Sequence, residues 1–385
     1  MIGIITVGND TFTNPTLFTL IKKLDDKGEG VALFNDKNQD FTPPNLKHIK
    51  YFDGPRGFQI PRKPANFINY LRLYRDVIKQ LKANKIVNLI AVDPVGLILA
   101  GRIKRLYKAI NIHYFSFEIF FSEEVKNNPV YSDLKKKEIF YSKFVSSILI
   151  QDEERKRNLI EENKISLKFN NWHLIPVAPA IKESEIKYDR AKYGLTENDI
   201  VYIHSGSVAR WAGINQIIDA VEKGLPENTK LFIHSRSKFD ASNDIHKRLL
   251  KLKASNPGLI LHDEIFDDYD DYLSFLKIFN YGIVLYEPDG GIFTGKNIQD
   301  IGLASGKFST YMAVGLPSLL FNCKTYHQIV KNHSIGAIVS SDNDLSHHIK
   351  SNSLKKLHKE DCIIFYSEVL DPVLSIGSFI AKELA

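Results

Sequence analysis

Small, hydroxylated and basic residues are concentrated in one stretch near residue 310. From 305 to 317 the chain reads Ser-Gly-Lys-Phe-Ser-Thr-Tyr-Met-Ala-Val-Gly-Leu-Pro. Ser305 and Gly306 are suited to the start of a helix and Gly315 to its end, and the apolar run 318–321 predicts a buried strand after it. The first turn of a helix presents unpaired N–H groups and the positive end of the dipole. This stretch is therefore suited to holding a diphosphate.

The side chains of the same turn support this chemistry. Lys307 supplies a cation for a diphosphate, and Ser305, Ser309 and Thr310 supply hydroxyl groups. The structural alternative is an ordinary helix-to-strand corner in which Lys307 is only a surface lysine.

Two carboxylates in the first half follow predicted strands. Asp93 follows the strand 86–92, and Glu118 follows the strand 112–117. Because ligands of open α/β sheets bind beyond the carboxyl ends of strands, both are candidate catalytic residues. The aromatic residues just before Glu118 would withdraw its carboxyl from water and raise its pKa toward that of a useful base. The alternatives are that Asp93 caps its helix and that Glu118 only begins a loop.

Strands and helices alternate through the first half, as a parallel sheet requires. A turn at Gly8-Asn9-Asp10 follows the first strand, but the G-x-G-x-x-G fingerprint is absent, which disfavours a nicotinamide dehydrogenase. The predicted strands are 2–7, 31–34, 48–52, 86–92, 112–117 and 147–150, and the predicted helices are 15–24, 67–82, 95–107, 134–145 and 153–162.

The second half repeats the pattern after a linker. Prolines between 174 and 180 and the polar stretch 182–198 place the domain boundary near 180–197. The predicted strands are 200–204, 231–234, 259–261, 281–286 and 318–321, and the predicted helices are 214–221, 272–279 and 367–384. The sequence thus predicts an α/β protein with two doubly wound domains, 1–180 and 181–366.

Composition limits the class of protein. A chain of 385 residues suits two domains, and its two cysteines, Cys323 and Cys362, provide neither a disulfide framework nor a zinc set. The N-terminal residues show neither the basic start nor the long apolar run of a signal peptide, and the most apolar stretch elsewhere, 86–101, is too short to span a bilayer. We expect a cytoplasmic protein that is not an integral membrane protein. Basic residues are spread among acidic ones, which disfavours nucleic-acid binding.

Basic runs at 102–108 and 135–137 have two interpretations. They are a surface for anionic lipid head groups or an anionic acceptor, or they are solvated helix faces. A peripheral contact with the inner face of the plasma membrane follows from the first interpretation only.

The stretch 305–317 resembles the S-x-K-x-x-x-Y-x-A-x-G-x-P segment of nucleotide-sugar-dependent glycosyltransferases of the GT-B fold. The likeness is to family 4-like bacterial enzymes of surface-glycan and polysaccharide assembly. It extends in order over 201–221, 231–235 and 272–285, whereas the first half matches only in its general plan. The resemblance implies two Rossmann-like domains facing a central cleft, with the nucleotide-sugar donor in the second and the acceptor on the side of the first. It also implies that the helix near 367–385 packs back on the first domain.

The resemblance also implies a donor site and a role for each of its residues. The diphosphate would be held by turns carrying Gly206, Arg210 and Lys307, and the nucleotide base would lie at Glu264 and Ile265. The expected donor-binding residues are Gly206, Ser207, Arg210, Ser235, Glu264, Ile265, Gly290, Gly291, Asn297, Ser305, Gly306, Lys307, Ser309 and Thr310. The expected catalytic residues are Glu118 and Asp93. No metal or other cofactor is expected, since the donor is a co-substrate.

The sequence departs from the family pattern at three positions. Two glutamates present in many retaining members are replaced by Gly302 and Thr310, and a lysine before the helix glycine is replaced by Ala212. Stereochemical outcome stays open. Two alternatives to a transferase remain: an inactive partner subunit of another glycosyltransferase, and a nucleotide-sugar epimerase.

Overall fold

The computed structural model describes residues 1–6, 14–35, 45–53, 64–181, 187–266, 269–340 and 342–384. The predicted turn at Gly8-Asn9-Asp10 and part of the predicted linker lie outside these residues. The chain forms two compact units. Unit 1 contains Met1–Ala180, Gly290–Asn297 and Pro372–Ala385, and unit 2 contains Ile181–Asp289 and Ile298–Asp371.

Unit 1 is built on a seven-stranded sheet in the order β3-β2-β1-β4-β5-β6-β7, in which every pairing is parallel. The strands are β1 Ile2–Thr6, β2 Val31–Asn35, β3 Ile49–Asp53, β4 Asn88–Val92, β5 Asn111–Phe115, β6 Ser147–Ile150 and β7 Trp172–Leu174. The helices are α1 Pro15–Asp26, α2 Pro64–Ala83, α3 Asp93–Leu106, α4 Ser122–Val125, α5 Pro129–Tyr141 and α6 Glu153–Asn163.

Both faces of this sheet are buried, because its strands consist of continuous apolar and β-branched residues. Ile5, Leu89 and Ile112 belong to one apolar layer, and Ile4, Ile90 and Phe115 belong to the other. The order of the strands brings the carboxyl ends of β4 and β5 next to each other. The sheet therefore places Asp93 and Glu118, which follow these two strands, at the same edge.

Unit 2 repeats this architecture with a six-stranded parallel sheet in the order β10-β9-β8-β11-β12-β13. The strands are β8 Ile200–Ser205, β9 Thr229–His234, β10 Leu259–His262, β11 Tyr281–Val284, β12 Ser318–Phe321 and β13 Gly336–Val339. The helices are α7 Ile214–Glu222, α8 Asp244–Ser255, α9 Tyr269–Leu276, α10 Lys296–Gln299, α11 Gly306–Ala313, α12 Lys324–Asn332, α13 Asp342–Ser351 and α14 Lys359–Phe365. The prediction of an α/β fold with two doubly wound sheets is confirmed.

The units divide the chain differently from the predicted domains in one segment, and the last helical run begins earlier than predicted. Gly290–Asn297 is grouped with unit 1, although the chain on both sides of it belongs to unit 2. The last helical run begins at Lys359, eight residues before the predicted start at Ser367. It continues through α14, a π-helical segment at Tyr366–Leu370, α15 Pro372–Phe379 and a second π-helical segment at Ile380–Leu384.

The run Lys359–Leu384 is long and apolar enough, by length and composition alone, to cross a membrane. Its inward-facing residues are core residues: Ile376, Phe379 and Leu384 pack in unit 1, while the ring of Phe365 contacts that of Phe308 in unit 2. A core helix of this kind passes the same test as a membrane span, so the finding is weak evidence for one.

Part of the basic run at 135–137 is not a surface feature. The ammonium of Lys135 is buried and donates hydrogen bonds to Glu138 Oε2 at 3.2 Å and to Asn163 Oδ1 at 2.5 Å. In the other run, Lys104 Nζ donates to the backbone carbonyl of Ile110 at 2.6 Å. These two lysines are therefore held inside unit 1.

Candidate functional site

The helix α11 begins and ends where the sequence predicts. Ser305 is the N-cap residue and its Oγ accepts a hydrogen bond from the N–H of Phe308 at 3.1 Å, while Gly315 follows the helix with φ +75°. The hydroxyl of Ser305 also hydrogen-bonds that of Tyr286 at 2.6 Å. Ser305 thus serves to start the helix and to fix its first turn against the end of β11.

Tyr311 fixes the other side of α11. Its hydroxyl accepts the N–H of Ser205 at 2.9 Å and donates to the carbonyl of Ile203 at 3.1 Å. A Cβ on Gly282 would lie 2.2 Å from the ring of Tyr311. The tyrosine and the glycine of β11 together let the helix approach the end of β8 closely.

Two backbone N–H groups at the start of α11 have no partner in the described part of the chain, those of Gly306 and Lys307. The side chain of Lys307 extends from the same turn, and its ammonium lies 5.4 Å from the ring centre of Tyr286. Beyond the strand β8, a Cβ on Gly206 would lie 3.8 Å from Lys307 Cε. We call these groups the anion cradle: the N–H groups of Gly306 and Lys307, the ammonium of Lys307, and the turn at Gly206.

Lys307 has no carboxylate partner among the residues that the structure describes. Its nearest polar contact is His204 Nδ1 at 3.4 Å, and His204 Nε2 lies 3.2 Å from the carbonyl of Ser207. Since Nε2 must donate to that carbonyl, Nδ1 is the unprotonated nitrogen of a neutral ring. Burial lowers the pKa of His204 well below its usual value and lowers the pKa of Lys307 to about 7. A bound anion would restore the full charge on Lys307.

The turn at Gly206 has a backbone conformation that only glycine adopts easily, with φ +133°. Ser207 is exposed and contributes its carbonyl to His204, not its side chain. Gly213 also needs its small size, because a Cβ there would lie 2.8 Å from the backbone of Leu285. The structure thus places Gly206 next to Lys307. The close approach of the Leu285 backbone explains why a glycine, Gly213, follows Ala212.

Arg210 lies on the exposed side of the same turn. Its Nε donates to Glu287 Oε1 at 2.7 Å, and its side chain is 65% exposed. The pKa of Arg210 is raised because of the hydrogen bond to Glu287. An exposed ion pair of this kind is weak, so the guanidinium can exchange Glu287 for a phosphate at little cost.

Ser309 and Thr310 differ in how their hydroxyls are used. Thr310 Oγ1 donates to the carbonyl of Gly306 at 2.7 Å and accepts from the hydroxyl of Tyr269 at 2.7 Å. A ribose hydroxyl could therefore only donate to Thr310. Ser309 Oγ is buried and has no hydrogen-bond partner in the described structure.

The end of β9 and the loop after β10 are joined by a chain of hydrogen bonds. Tyr272 donates to Ser205 Oγ at 2.8 Å, Ser205 Oγ lies 2.7 Å from His234 Nδ1, and His234 Nε2 lies 2.8 Å from the carbonyl of Glu264. This fixes the backbone at the position predicted for the nucleotide base. Ile265 is next to it and is 71% exposed.

Ser235 has a local role. Its hydroxyl accepts the N–H of Ser237 at 3.1 Å and is buried. The side chain of Glu264 points toward His262 at 3.4 Å.

In unit 1, Asp93 and Glu118 lie together as predicted from the two strand ends. Asp93 Oδ1 accepts the N–H groups of Phe117 at 2.7 Å and Glu118 at 2.9 Å. Asp93 is therefore not the cap of its own helix; its backbone has φ +57° and its carboxylate holds the loop that carries Glu118. The carboxyl of Glu118 makes no hydrogen bond with any residue that the structure describes.

The two carboxyls share one environment, since the charge of Asp93 acts on Glu118. Burial, followed by this charge, raises the pKa of Glu118 to about 7; burial also raises the pKa of Asp93 to about 7, although its two N–H bonds oppose the rise. Because those bonds favour the charged form, Asp93 loses its proton first and Glu118 holds the proton of the pair.

Gly290, Gly291 and Asn297 lie in a segment that packs within unit 1. Gly290 has φ +76°, and the carbonyl of Gly291 accepts the N–H of Gly295 at 2.7 Å. Both polar atoms of the Asn297 side chain bond the backbone of Ile119: Oδ1 accepts its N–H at 3.0 Å, and Nδ2 donates to its carbonyl at 2.6 Å. Both polar groups of this side chain therefore bind the loop of Glu118, and a donor contact through the backbone of Asn297 stays a prediction.

Sequence reasoning did not single out His204 or Arg155. His204 stands at the end of a strand, as Asp93 does, and this position was a usable signal. Arg155 is buried and donates from Nε to Gln151 Oε1 at 2.7 Å and from Nη2 to the carbonyl of Phe117 at 2.5 Å. Arg155 is one of several charged residues in α6, so its sequence context does not indicate that it is buried. Among the described residues, no group of three or more His, Cys, Asp or Glu residues is arranged to hold a metal.

No protein-family model and no curated protein matches the chain. Solved structures match it over nearly its whole length. Sucrose-phosphate synthase from Thermosynechococcus elongatus aligns with a TM-score of 0.72 and 12% identity, covering 100% of this chain and 99% of that one. HepE from Anabaena, solved in complex with UDP and glucose, aligns with a TM-score of 0.69 and 13% identity over 100% and 99% of the two chains.

A third match is WaaG, a glycosyltransferase involved in lipopolysaccharide biosynthesis, with a TM-score of 0.65 and 13% identity over 100% of both chains. At these identities the likeness concerns the fold. The chain has the fold of the GT-B nucleotide-sugar glycosyltransferases, as the resemblance of the α11 segment predicted.

Proposed function

We propose that the protein is a glycosyltransferase that moves a sugar from a UDP- or GDP-sugar to a glycan or lipid-linked acceptor. The observation that carries the proposal is the anion cradle in unit 2. A lysine that is partly withdrawn from water and has no anionic partner among the described residues costs stability, so its presence on the same turn as two unpaired N–H groups is best explained by an anion that binds there. Because HepE was solved with UDP and with UDP-glucose, we favour a uridine donor.

The cradle would act on the departing diphosphate. Fixed N–H groups and the charge on Lys307, joined by Arg210, stabilise the negative charge that develops on it, and this needs no bound metal. If the reaction inverts the anomeric centre, Glu118 is the base that takes the proton of the acceptor hydroxyl. If it retains the configuration, no side chain is proposed as nucleophile. The remaining residues predicted to bind the donor, including Ser309, Glu264 and Ile265, keep that role as part of this proposal.

We further propose a cytoplasmic enzyme of bacterial polysaccharide or glycoconjugate assembly that contacts the inner face of the plasma membrane peripherally. The support is the exposed part of the basic runs, which includes Arg105 and Lys108. Vesicles with and without anionic lipid test this point directly, since binding should require the anionic lipid and disappear at high salt.

A titration of the purified protein with UDP, GDP, ADP, CMP and dTDP tests the donor site. One nucleotide should bind, and Lys307→Met should abolish its binding. Lys359→Met is the matched control, because Lys359 packs against Gly315 at the opposite end of α11. Absence of binding by the folded protein, or binding that survives Lys307→Met, would contradict the proposal and favour an inactive partner subunit.

Proton uptake gives the same titration a second readout. The pKa of Lys307 is lowered to about 7 in the free protein, so at pH 8 most of its ammonium has lost its proton. A diphosphate would raise this pKa again, and binding should then take up about one proton. Calorimetry in buffers of different ionisation enthalpy measures this number. Isomerisation of a UDP-sugar without any acceptor would instead indicate the epimerase.

A further inference from the structure

The loop Ser116–Ile119 has a partner for each of its backbone polar groups. The N–H of Ser116 donates to Leu149 O at 3.1 Å, and its carbonyl accepts from Gln151 Nε2 at 2.8 Å. The carbonyl of Glu118 accepts from Ser116 Oγ at 3.3 Å. The other groups are held by Asp93, Arg155 and Asn297, as described above. The backbone on both sides of Glu118 is therefore fixed, while its carboxyl makes no hydrogen bond with the residues that the structure describes.

Most of these partners come from residues 93–155 of unit 1, but Asn297 does not. It ends the segment Gly290–Asn297, and the chain on both sides of that segment belongs to unit 2. The segment makes further contacts in unit 1: the N–H of Lys296 donates to Glu124 Oε1 at 2.5 Å, and the ring of Phe293 lies 5.6 Å from that of Phe120. Asn297 itself is 3% exposed.

We infer that Asn297 is a positioning residue for Glu118, which it holds by pairing its side-chain amide with the backbone of Ile119. This inference rests on the proposed function, in which Glu118 receives a proton from the acceptor. The side-chain amide of Asn297 accepts one hydrogen bond from the backbone of Ile119 and donates one to it, as the backbone of a neighbouring β-strand would. Arg155 supports the pair, since its Nη2 lies 3.4 Å from Asn297 Oδ1.

The side-chain amide of Asn297 has little hydrogen-bonding capacity left for a donor sugar. Oδ1 already accepts from Ile119 and lies within reach of Arg155, and Nδ2 has one remaining hydrogen. Substitution of Asn297 should therefore affect turnover more than donor binding, because a displaced base lowers the rate of the chemical step without removing a ground-state contact.

Asn297→Leu tests the inference, because it removes both hydrogen bonds at similar volume. We expect kcat to fall about tenfold or more while the dissociation constant of the nucleotide changes less than about threefold. Asn171→Leu is the matched control: Asn171 donates to the backbone carbonyl of Ser146 at 2.8 Å in the same unit, at a distance in sequence from the Glu118 loop. It should lower stability without changing kcat.

Two measurements do not depend on activity. Hydrogen exchange of the peptide 115–121 should accelerate in Asn297→Leu and stay unchanged in Asn171→Leu, because the N–H of Ile119 loses its acceptor. The titration of Glu118, followed by ¹³C NMR and assigned with Glu118→Gln, should shift, since Asp93 and Arg155 are the charges that act on it. If Asn297→Leu does not fold, Asn297→Ala, which also removes both hydrogen bonds to Ile119, is measured instead.

The outcomes separate the inference from the proposed function. Unchanged exchange and an unchanged Glu118 titration would overturn the inference, whether or not the enzyme is active. A large loss of nucleotide affinity with unchanged kcat would also overturn it and return Asn297 to the donor site. Failure of the wild type to bind any nucleotide would count against the proposed function, and the two activity-independent readouts would still decide the role of Asn297.

Discussion

The ammonium of Lys307 lies 3.4 Å from the unprotonated Nδ1 of His204 and has no carboxylate partner in the described part of the chain. A neutral imidazole can accept a hydrogen bond from Lys307 but cannot balance its charge. The pair is therefore poorly suited to stabilising the free protein and well suited to receiving a diphosphate.

Lys307→Met should stabilise the free protein by roughly 1 to 4 kcal/mol near pH 7, because it removes a buried charge without an anionic partner. The size of this effect depends on pH: between about 7 and 10.5 the unfolded chain binds a proton that the folded protein does not, so wild-type stability rises with pH and the advantage of the variant shrinks. Urea unfolding at pH 7 and pH 9 measures it.

Lys135→Met provides the contrast. The side chain of Lys135 is 3% exposed and is buried more deeply than that of Lys307, and its ammonium is paired with Glu138 at 3.2 Å. Its removal leaves Glu138 buried without its cation and should destabilise the protein by roughly 3 kcal/mol or more. Equal effects of the two substitutions would show that Lys307 has an anionic partner in the free protein.

Glu118→Gln should change the pH dependence of stability. The unfolded chain releases the proton of Glu118 near its ordinary pKa of 4.5, whereas the folded protein holds it to about 7. Wild-type stability should thus fall as pH rises through this window. The stability of Glu118→Gln should not fall through this pH window for this reason, so the variant should be more stable than the wild type above pH 7 by roughly 1 to 3 kcal/mol. Denaturant titrations at pH 5 and pH 8 distinguish the two curves, and parallel curves would contradict the raised pKa.

Activity should depend on the same proton in the opposite direction. If Glu118 acts as the base, kcat/KM rises with pH through about 7, because only the carboxylate accepts a proton. Glu118→Gln should lower kcat by about 100-fold or more. A variant that keeps full turnover would remove Glu118 from the mechanism.

Gly206→Ala should weaken nucleotide binding. Alanine strains a backbone with φ +133°, at a cost of roughly 1 to 3 kcal/mol, and relief of this strain would displace the turn from its position 3.8 Å from Lys307 Cε. Gly194→Ala is the control, since Gly194 also has positive φ (+68°) and no atom lies within 4 Å of an added Cβ. Calorimetric titration with the bound nucleotide should detect a loss of affinity in the first variant alone.

Tyr311→Phe should destabilise unit 2 by roughly 2 kcal/mol, because it leaves the buried N–H of Ser205 and the carbonyl of Ile203 without partners. Tyr202→Phe is the control: Tyr202 is equally buried, and its hydroxyl has no partner in the described structure. That substitution should be neutral or stabilising. Equal loss of stability in thermal unfolding would contradict the role given to the Tyr311 hydroxyl.

The alternation of strands and helices could be derived from the sequence because buried parallel strands require continuous apolar runs and helices require apolar residues at regular spacing. Eleven of the thirteen described strands follow from this pattern; the edge strands β7, with three residues, and β13, which begins with Gly-Ala, were not predicted. Boundaries were less accurate where propensity competes with capping: α5 begins at Pro129, capped by Asn128, and not at Leu134.

The sequence by itself determined the helix α11, its cap and its glycine end, because all of these depend on neighbouring residues; phosphate binding by Lys307 stays a prediction. Only the tertiary structure decided that Lys307 faces a neutral His204, that Asp93 holds the loop of Glu118, and that Asn297 bonds Ile119. These contacts join residues that are far apart in sequence, and their energies depend on burial and distance, which no local pattern encodes.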